Sequence, residues 1–135
     1  MGDMPDPDNA VVLVADGEVS VLKNVSSTLQ KAGFTVLTAH GGPAVLDVCA
    51  KHREPIQLAI MDMTMAGNGP DLVECLDGSY PGIRFLFTSA QDESPNVRQT
   101  GRSGRTREFL QKPFRRSRLL GRVLQVMDTP LVRTA

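Results

Sequence analysis

Leu58-Ala59-Ile60-Met61-Asp62 is the stretch whose reading decides the fold. Four apolar residues follow one another without alternation and stop at an acid. A strand with one wet face alternates, whereas an unbroken run marks a strand covered on both faces, as in a parallel sheet. The same design opens the chain, where Val11–Ala15 ends at Asp16. It returns at Ile83–Phe87, which ends in Thr88-Ser89. Thr35–Ala39 is a further β-rich run, and Glu108–Gln111 is a short fifth one followed by Lys112-Pro113.

Helical spacing fills the intervals. Val19, Leu22, Val25, Leu29 and Ala32 recur on one helical face, and Gly33 stops that helix. Gly41-Gly42-Pro43 opens a second helix with proline in its first turn and Val45, Leu46, Val48 and Cys49 as its stripe. A Gly-rich loop, Ala66–Pro70, leads to a short helix from about Asp71 to Leu76. Residues 90–107 are weakly patterned, with a short helix expected near Pro95–Gln99 and a mobile Gly/Arg-rich loop at 101–107. Leu119, Leu120, Val123, Leu124 and Met127 mark the last helix. The domain is thus expected over residues 11–128, after a disordered lead-in (1–10) and before a loose tail (129–135). Five alternations of strand and helix predict an α/β fold, a doubly wound five-stranded parallel sheet with right-handed crossovers.

Composition bounds the function. With 135 residues, 41% hydrophobic and 22% charged, the chain suits one globular domain rather than a disordered segment. Two cysteines, Cys49 and Cys75, are too few for a disulfide framework or a zinc site and are read as small buried hydrophobes in a reducing compartment. No apolar run approaches the ~18 residues of a membrane span, and no signal peptide is evident, so a cytoplasmic protein is expected. The net charge of zero conceals an asymmetry: residues 1–97 hold 13 acids and 5 bases (−8), and residues 98–135 hold 2 acids and 10 bases (+8). The basic block offers only Phe109 and Phe114 for stacking, so direct nucleic-acid binding is not expected. Arg115, Arg116 and Arg118 read as a solvated or partner-facing surface.

In doubly wound sheets, function gathers at the carboxyl ends of the strands. Asp16, Asp62, Ser89 and Lys112 follow strands one, three, four and five, so all four are expected to converge on one edge. Plainer readings exist for several residues. Asp16 could cap the first helix, and Glu18 could be a solvated acid of its first turn. His40 and His52 lie at a strand end and a helix end with no evident partner, and Met61, Met63 and Met65 read as packing. A flavin or nucleotide enzyme would need a phosphate-cradling loop after the first strand. Asp16-Gly17-Glu18 puts negative charge there instead.

The ordered set resembles the response-regulator receiver family over about residues 10–128. The resemblance rests on the acid-rich turn Ala15-Asp16-Gly17-Glu18, on Asp62 with Met65 three residues on, and on Ser89-Ala90. Phe109, three residues before the lysine, and Lys112-Pro113-Phe114 complete it. Its flavour is that of receivers attached to hybrid histidine kinases, in the run Phe109–Phe114. The resemblance implies a flavodoxin-like receiver fold with strand order 2-1-3-4-5. It implies a signalling domain rather than an enzyme, taking a phosphoryl group onto Asp62 from a sensor histidine kinase or a histidine phosphotransfer protein. Magnesium would be held by Asp16, Asp62 and the backbone carbonyl of Thr64, with Glu18 a weaker candidate. Lys112 would steady the phosphoryl charge, and Ser89 (or Thr88, one residue earlier) would hydrogen-bond it. Phe109 would act as the switch, and the bond before Pro113 is expected to be cis. A monomer or weak homodimer is expected.

Three departures temper that expectation. Gly17 stands where the family carries a second consecutive acid. Ala66 replaces the proline expected after Met65, in a loop one residue short. No clear amphipathic helix lies between Ser89 and Phe109. Weak magnesium binding follows from the missing ligand. The alternative is a degenerate pseudo-receiver that works as a protein-interaction module without phosphorylation.

Overall fold

The computed structural model describes residues 10–65, 69–90 and 108–128. Strands β1 (Val11–Ala15), β2 (Thr35–Ala39), β3 (Leu58–Asp62), β4 (Arg84–Ser89) and β5 (Glu108–Gln111) alternate with helices α1 (Val19–Lys31), α2 (Gly42–Lys51) and α3 (Gly69–Ser79); α4 (Arg116–Asp128) follows β5. The strands form one parallel sheet in the order β2-β1-β3-β4-β5, as the sequence predicts.

The unbroken apolar runs build two cores at once. Side chains alternate along a strand, so Val12 and Val14 of β1, with Leu58 and Ile60 of β3, face the cluster made by α1 and α4. Leu13 and Ala15, with Ala59 and Met61, face the cluster made by α2 and α3. All eight are essentially fully buried. Burying each large apolar side chain is worth about 1.5–3 kcal/mol, which rewards a strand carrying no polar residue on either face.

The helices bury narrower stripes than their apolar content suggests. On α4, Leu119, Val123, Val126 and Met127 are buried at the i, i+4, i+7, i+8 spacing of one face, and Leu124, expected among them, is 52% exposed. Val19 and Leu46 are exposed in the same way. Gly33 takes a left-handed φ of 102° after α1; its N–H donates to the Gln30 carbonyl and that of Phe34 to the Leu29 carbonyl.

Several other expectations are corrected. Helix α3 runs to Ser79, beyond the expected Leu76. Packing carries it further, because Leu72, Leu76 and Tyr80 seat on the α2–α3 core and the Tyr80 hydroxyl donates to the Val48 and His52 carbonyls at the end of α2 (3.1 and 2.8 Å). Ala10, expected in the lead-in, is fully buried and its carbonyl accepts the Thr35 N–H. Cys49 and Cys75 are half-buried rather than buried, and their thiols meet across the α2–α3 seam. Burial and the neighbouring Cys75 push the Cys49 thiol up to about 11. Met61 and Met65 are buried, whereas Met63 is exposed. The expected helix near residues 95–99, the 101–107 loop and the tail lie outside the described residues. Among the described residues, no helix is long and apolar enough to cross a membrane.

Candidate functional site

The site is assembled at the carboxyl ends of β1, β3 and β5. Asp16 directly follows β1, and its backbone N–H donates to the Ala39 carbonyl at the end of β2 (3.1 Å), extending the ladder by one step. Its Oδ1 accepts the Glu18 N–H at 2.8 Å. Asp62 is the last residue of β3; its carboxylate accepts the Thr64 N–H (3.1 Å) and the Thr64 hydroxyl (3.0 Å). Lys112 follows β5, where its N–H donates to the Ser89 carbonyl at 2.8 Å, and the Lys112-Pro113 bond is cis as expected.

These three side chains meet. Lys112 Nζ donates to Asp16 Oδ2 at 2.8 Å, stands 3.5 Å from Asp62 Oδ2 and 3.9 Å from Glu18 Oε1. Asp16 is 2% exposed and Asp62 9% exposed, while Glu18 reaches in from a solvated position. Three carboxylates around one ammonium leave a formal charge of −2. Burial, the largest single influence on Lys112, lowers its pKa. The Asp16 hydrogen bond and the charges of Asp16, Asp62 and Glu18 together outweigh it and hold the ammonium above its usual value of 10.5.

The remaining candidates occupy defined places. Thr88 is buried (2% exposed) and pairs in register with Asp62. Ser89, half-buried, ends β4 in register with Gln111. By strand alternation Thr88 shares the face of Leu86 and Asp62, and Ser89 that of Phe87 and Phe109. Phe109 is a core residue, 5% exposed, stacked on Phe87 with ring centroids 5.5 Å apart.

Two contacts were missed by the sequence reading. Thr64 was assigned only a backbone carbonyl, yet its hydroxyl and N–H both hold the Asp62 carboxylate; a hydroxyl residue two places after an acid is the signal. His40, read as partnerless, donates from Nε2 to the Gly17 carbonyl at 2.8 Å. The carbonyl can only accept, so the ring supplies the proton. His52 keeps its structural reading, its ring tilted against Tyr80.

The donor set is of the oxygen type that a hard cation takes. Among the described residues no three acidic, histidine or cysteine side chains form a metal cage by themselves. Magnesium, however, is commonly held by one or two carboxylates, with water completing its shell. Asp16 and Asp62 already share one positive partner in Lys112 and supply two such carboxylates. A Cβ at Gly17 meets no atom within 4 Å, so the position of the missing acid is open space.

The comparisons address the family and the fold. The model of the response regulator receiver domain matches residues 12–124. The chain belongs to the response-regulator receiver family. The receiver is 27% identical over 121 residues to the sensor kinase CckA of Brucella abortus, covering 89% of this chain and 13% of that protein. It is 30% identical over 112 residues to the response regulator MprA of Mycobacterium tuberculosis, covering 83% and 48%. The chain thus spans at most about half of these curated relatives. Among solved structures, the receiver resembles the chemotaxis response regulator CheY4 of Vibrio cholerae. The TM-score is 0.74 at 31% identity, over 87% of this chain and 98% of that one. It also resembles the receiver domain of the hybrid histidine kinase CckA (TM-score 0.72, 27% identity, 88% and 100% covered). The receiver is therefore a two-component signalling domain.

Proposed function

We propose that this receiver accepts a phosphoryl group on Asp62 from a phosphohistidine, carried by a sensor histidine kinase or a histidine phosphotransfer protein. The observation that carries the reading is the position of Lys112 Nζ, 2.8 Å from Asp16 and 3.5 Å from Asp62 at the rim of the sheet. In the transfer, an Asp62 carboxylate oxygen bonds to phosphorus as the N–P bond of the donor breaks; the electron pair of that bond stays on the donor ring, whose other nitrogen carries a proton, so an aspartyl phosphate and a neutral imidazole result. An anionic nucleophile approaching an anionic phosphoryl group needs positive charge at the site, since charge builds on the transferring oxygens. Lys112 supplies one such charge as a compact ammonium. Asp16, Asp62 and the Thr64 carbonyl would hold magnesium, with Glu18 beside them, and a bound ion would supply positive charge to neutralise the phosphoryl oxygens.

The Thr64 hydroxyl and N–H steady the Asp62 carboxylate against rotation. Ser89, on the Phe109 side of β4, is the proposed hydroxyl that bonds the phosphoryl group, with Thr88 as the alternative. A bond formed only in the phosphorylated state gives the two states different free energies, which a switch requires. Phe109 would convert that pull into a change of packing against Phe87. The reading includes a cytoplasmic location and no direct nucleic-acid contact.

Gly17 favours a second reading, the pseudo-receiver, because it withholds one carboxylate from the cation. Incubation with acetyl phosphate and magnesium, read by intact mass, decides between them. A gain of one phosphoryl group that disappears in Asp62→Asn and on chelating magnesium is expected. An unchanged mass for the wild-type chain at saturating magnesium would leave the interaction module.

A further inference from the structure

The turn that carries the acids is held by a contact outside the carboxylate cluster. The Gly17 carbonyl and the Glu18 N–H belong to one peptide unit, which is planar. Both of its ends are bound: His40 Nε2 donates to the carbonyl at 2.8 Å, and the N–H donates to Asp16 Oδ1 at 2.8 Å. Asp16 Oδ2, the other oxygen of that carboxylate, accepts Lys112 Nζ. A continuous chain of hydrogen bonds therefore runs from the His40 ring through the peptide to Asp16 and on to Lys112.

We infer that His40 is a positioning residue for the acid turn, fixing the Gly17–Glu18 peptide so that Asp16 presents Oδ2 to the cation site. Three points support this. Glycine gives position 17 the widest backbone freedom of any residue, so this peptide needs an external anchor to keep one orientation. A donor on the carbonyl polarises the peptide and strengthens the bond its N–H makes, as in any hydrogen-bonded chain. The anchor also comes from a rigid place: Ala39 pairs in register with Ala15, and the Ala39 carbonyl already accepts the Asp16 N–H. His40, the next residue, thus adds a second tether from the end of β2. Its side chain is exposed, so removing it opens no cavity in either core.

The consequence for the cation rests on the proposed phosphoacceptor site; the tether itself does not. The experiment uses His40→Ala and His40→Gln in the full chain, since glutamine keeps an Nε–H donor. Three quantities are read: exchange and chemical shift of the Glu18 amide without metal, magnesium affinity by NMR titration, and thermal stability. His40→Ala should speed Glu18 amide exchange and weaken magnesium about 10-fold, the lower range for loss of a group that orients a ligand. Thermal stability should stay near wild type, and His40→Gln should restore most of both effects. An unchanged Glu18 amide overturns the inference, and so does an altered amide with unchanged magnesium affinity. Failure of glutamine to rescue overturns it as well, by assigning the effect to ring bulk. If the wild-type chain binds no magnesium, the metal part of the proposed function fails, and the Glu18 amide alone decides whether His40 holds the turn.

Discussion

The two edges of this sheet use polar residues in opposite ways. At the amino edge they close backbone groups. Gln57 Oε1 accepts the Val11 N–H at 2.6 Å, and Arg84 Nη1 donates to the Val126 and Met127 carbonyls at 2.5 and 2.6 Å. Arg84 therefore satisfies carbonyls that the end of α4 leaves without intrahelical donors, and its charge suits the negative end of that helix. At the carboxyl edge, Asp16, Asp62 and Lys112 turn toward one another, with acids in excess. Burying charge is expensive and a hydrophobic substitute often serves stability as well or better. An edge built for stability looks like the first; the second makes sense as an edge built to receive a charged group.

Substitutions should separate the two edges. The largest effect is expected from Asp62→Asn, with complete loss of phosphoryl uptake by mass spectrometry; uptake persisting in this variant would move the acceptor elsewhere. Lys112→Met should follow, slowing uptake from acetyl phosphate by about 100-fold, the scale for removing one preorganised charge or donor at a phosphoryl-transfer or oxyanion site. At the other edge, Arg84→Met should lower unfolding free energy by about 2 kcal/mol in urea titrations, the range for hydrogen bonds from a charged donor, and leave the uptake rate of the folded protein unaltered. A rate loss there would mean that the edges are coupled. Gly17→Asp should raise magnesium affinity about 10-fold, because open space awaits the side chain and no left-handed φ must be kept; unchanged affinity would show that the departure is not what limits binding.

The smallest effect concerns pH. The folded pKa of Lys112 is raised above 10.5, so its contribution to stability is complete below that value. The contribution fades as pH climbs through the folded pKa. The stability difference between wild type and Lys112→Met should therefore hold steady to about pH 10 and shrink above it. Cys49 and Tyr80, whose pKa values are also raised, titrate in the same alkaline range and cancel in that difference. A difference that grows above pH 10.5 would contradict the assigned electrostatics.

Much of this was legible in the sequence because strand and site share one signal. An apolar run that stops at an acid announces both a strand buried on two faces and the residue delivered to its rim, as Val11–Asp16 and Leu58–Asp62 show. Helix faces were less legible. Leu124 is as apolar as Val123, and only the direction of the core buries one and exposes the other. The cysteines, read as small buried hydrophobes, proved to be half-buried neighbours because α2 packs on α3, which no local pattern encodes.

The apolar runs and the residues that end them thus determined the element order and the sheet, since period and strand ends are local properties, and the rule that sites gather at the carboxyl ends of such strands added the convergence of Asp16, Asp62 and Lys112. Only the folded molecule decided that Glu18 turns toward Lys112, that Thr64 grips Asp62 through its hydroxyl, and that His40 reaches across to the Gly17 carbonyl. Those contacts depend on side-chain directions and on distances between segments far apart in the chain, which are set when the two cores close around the sheet.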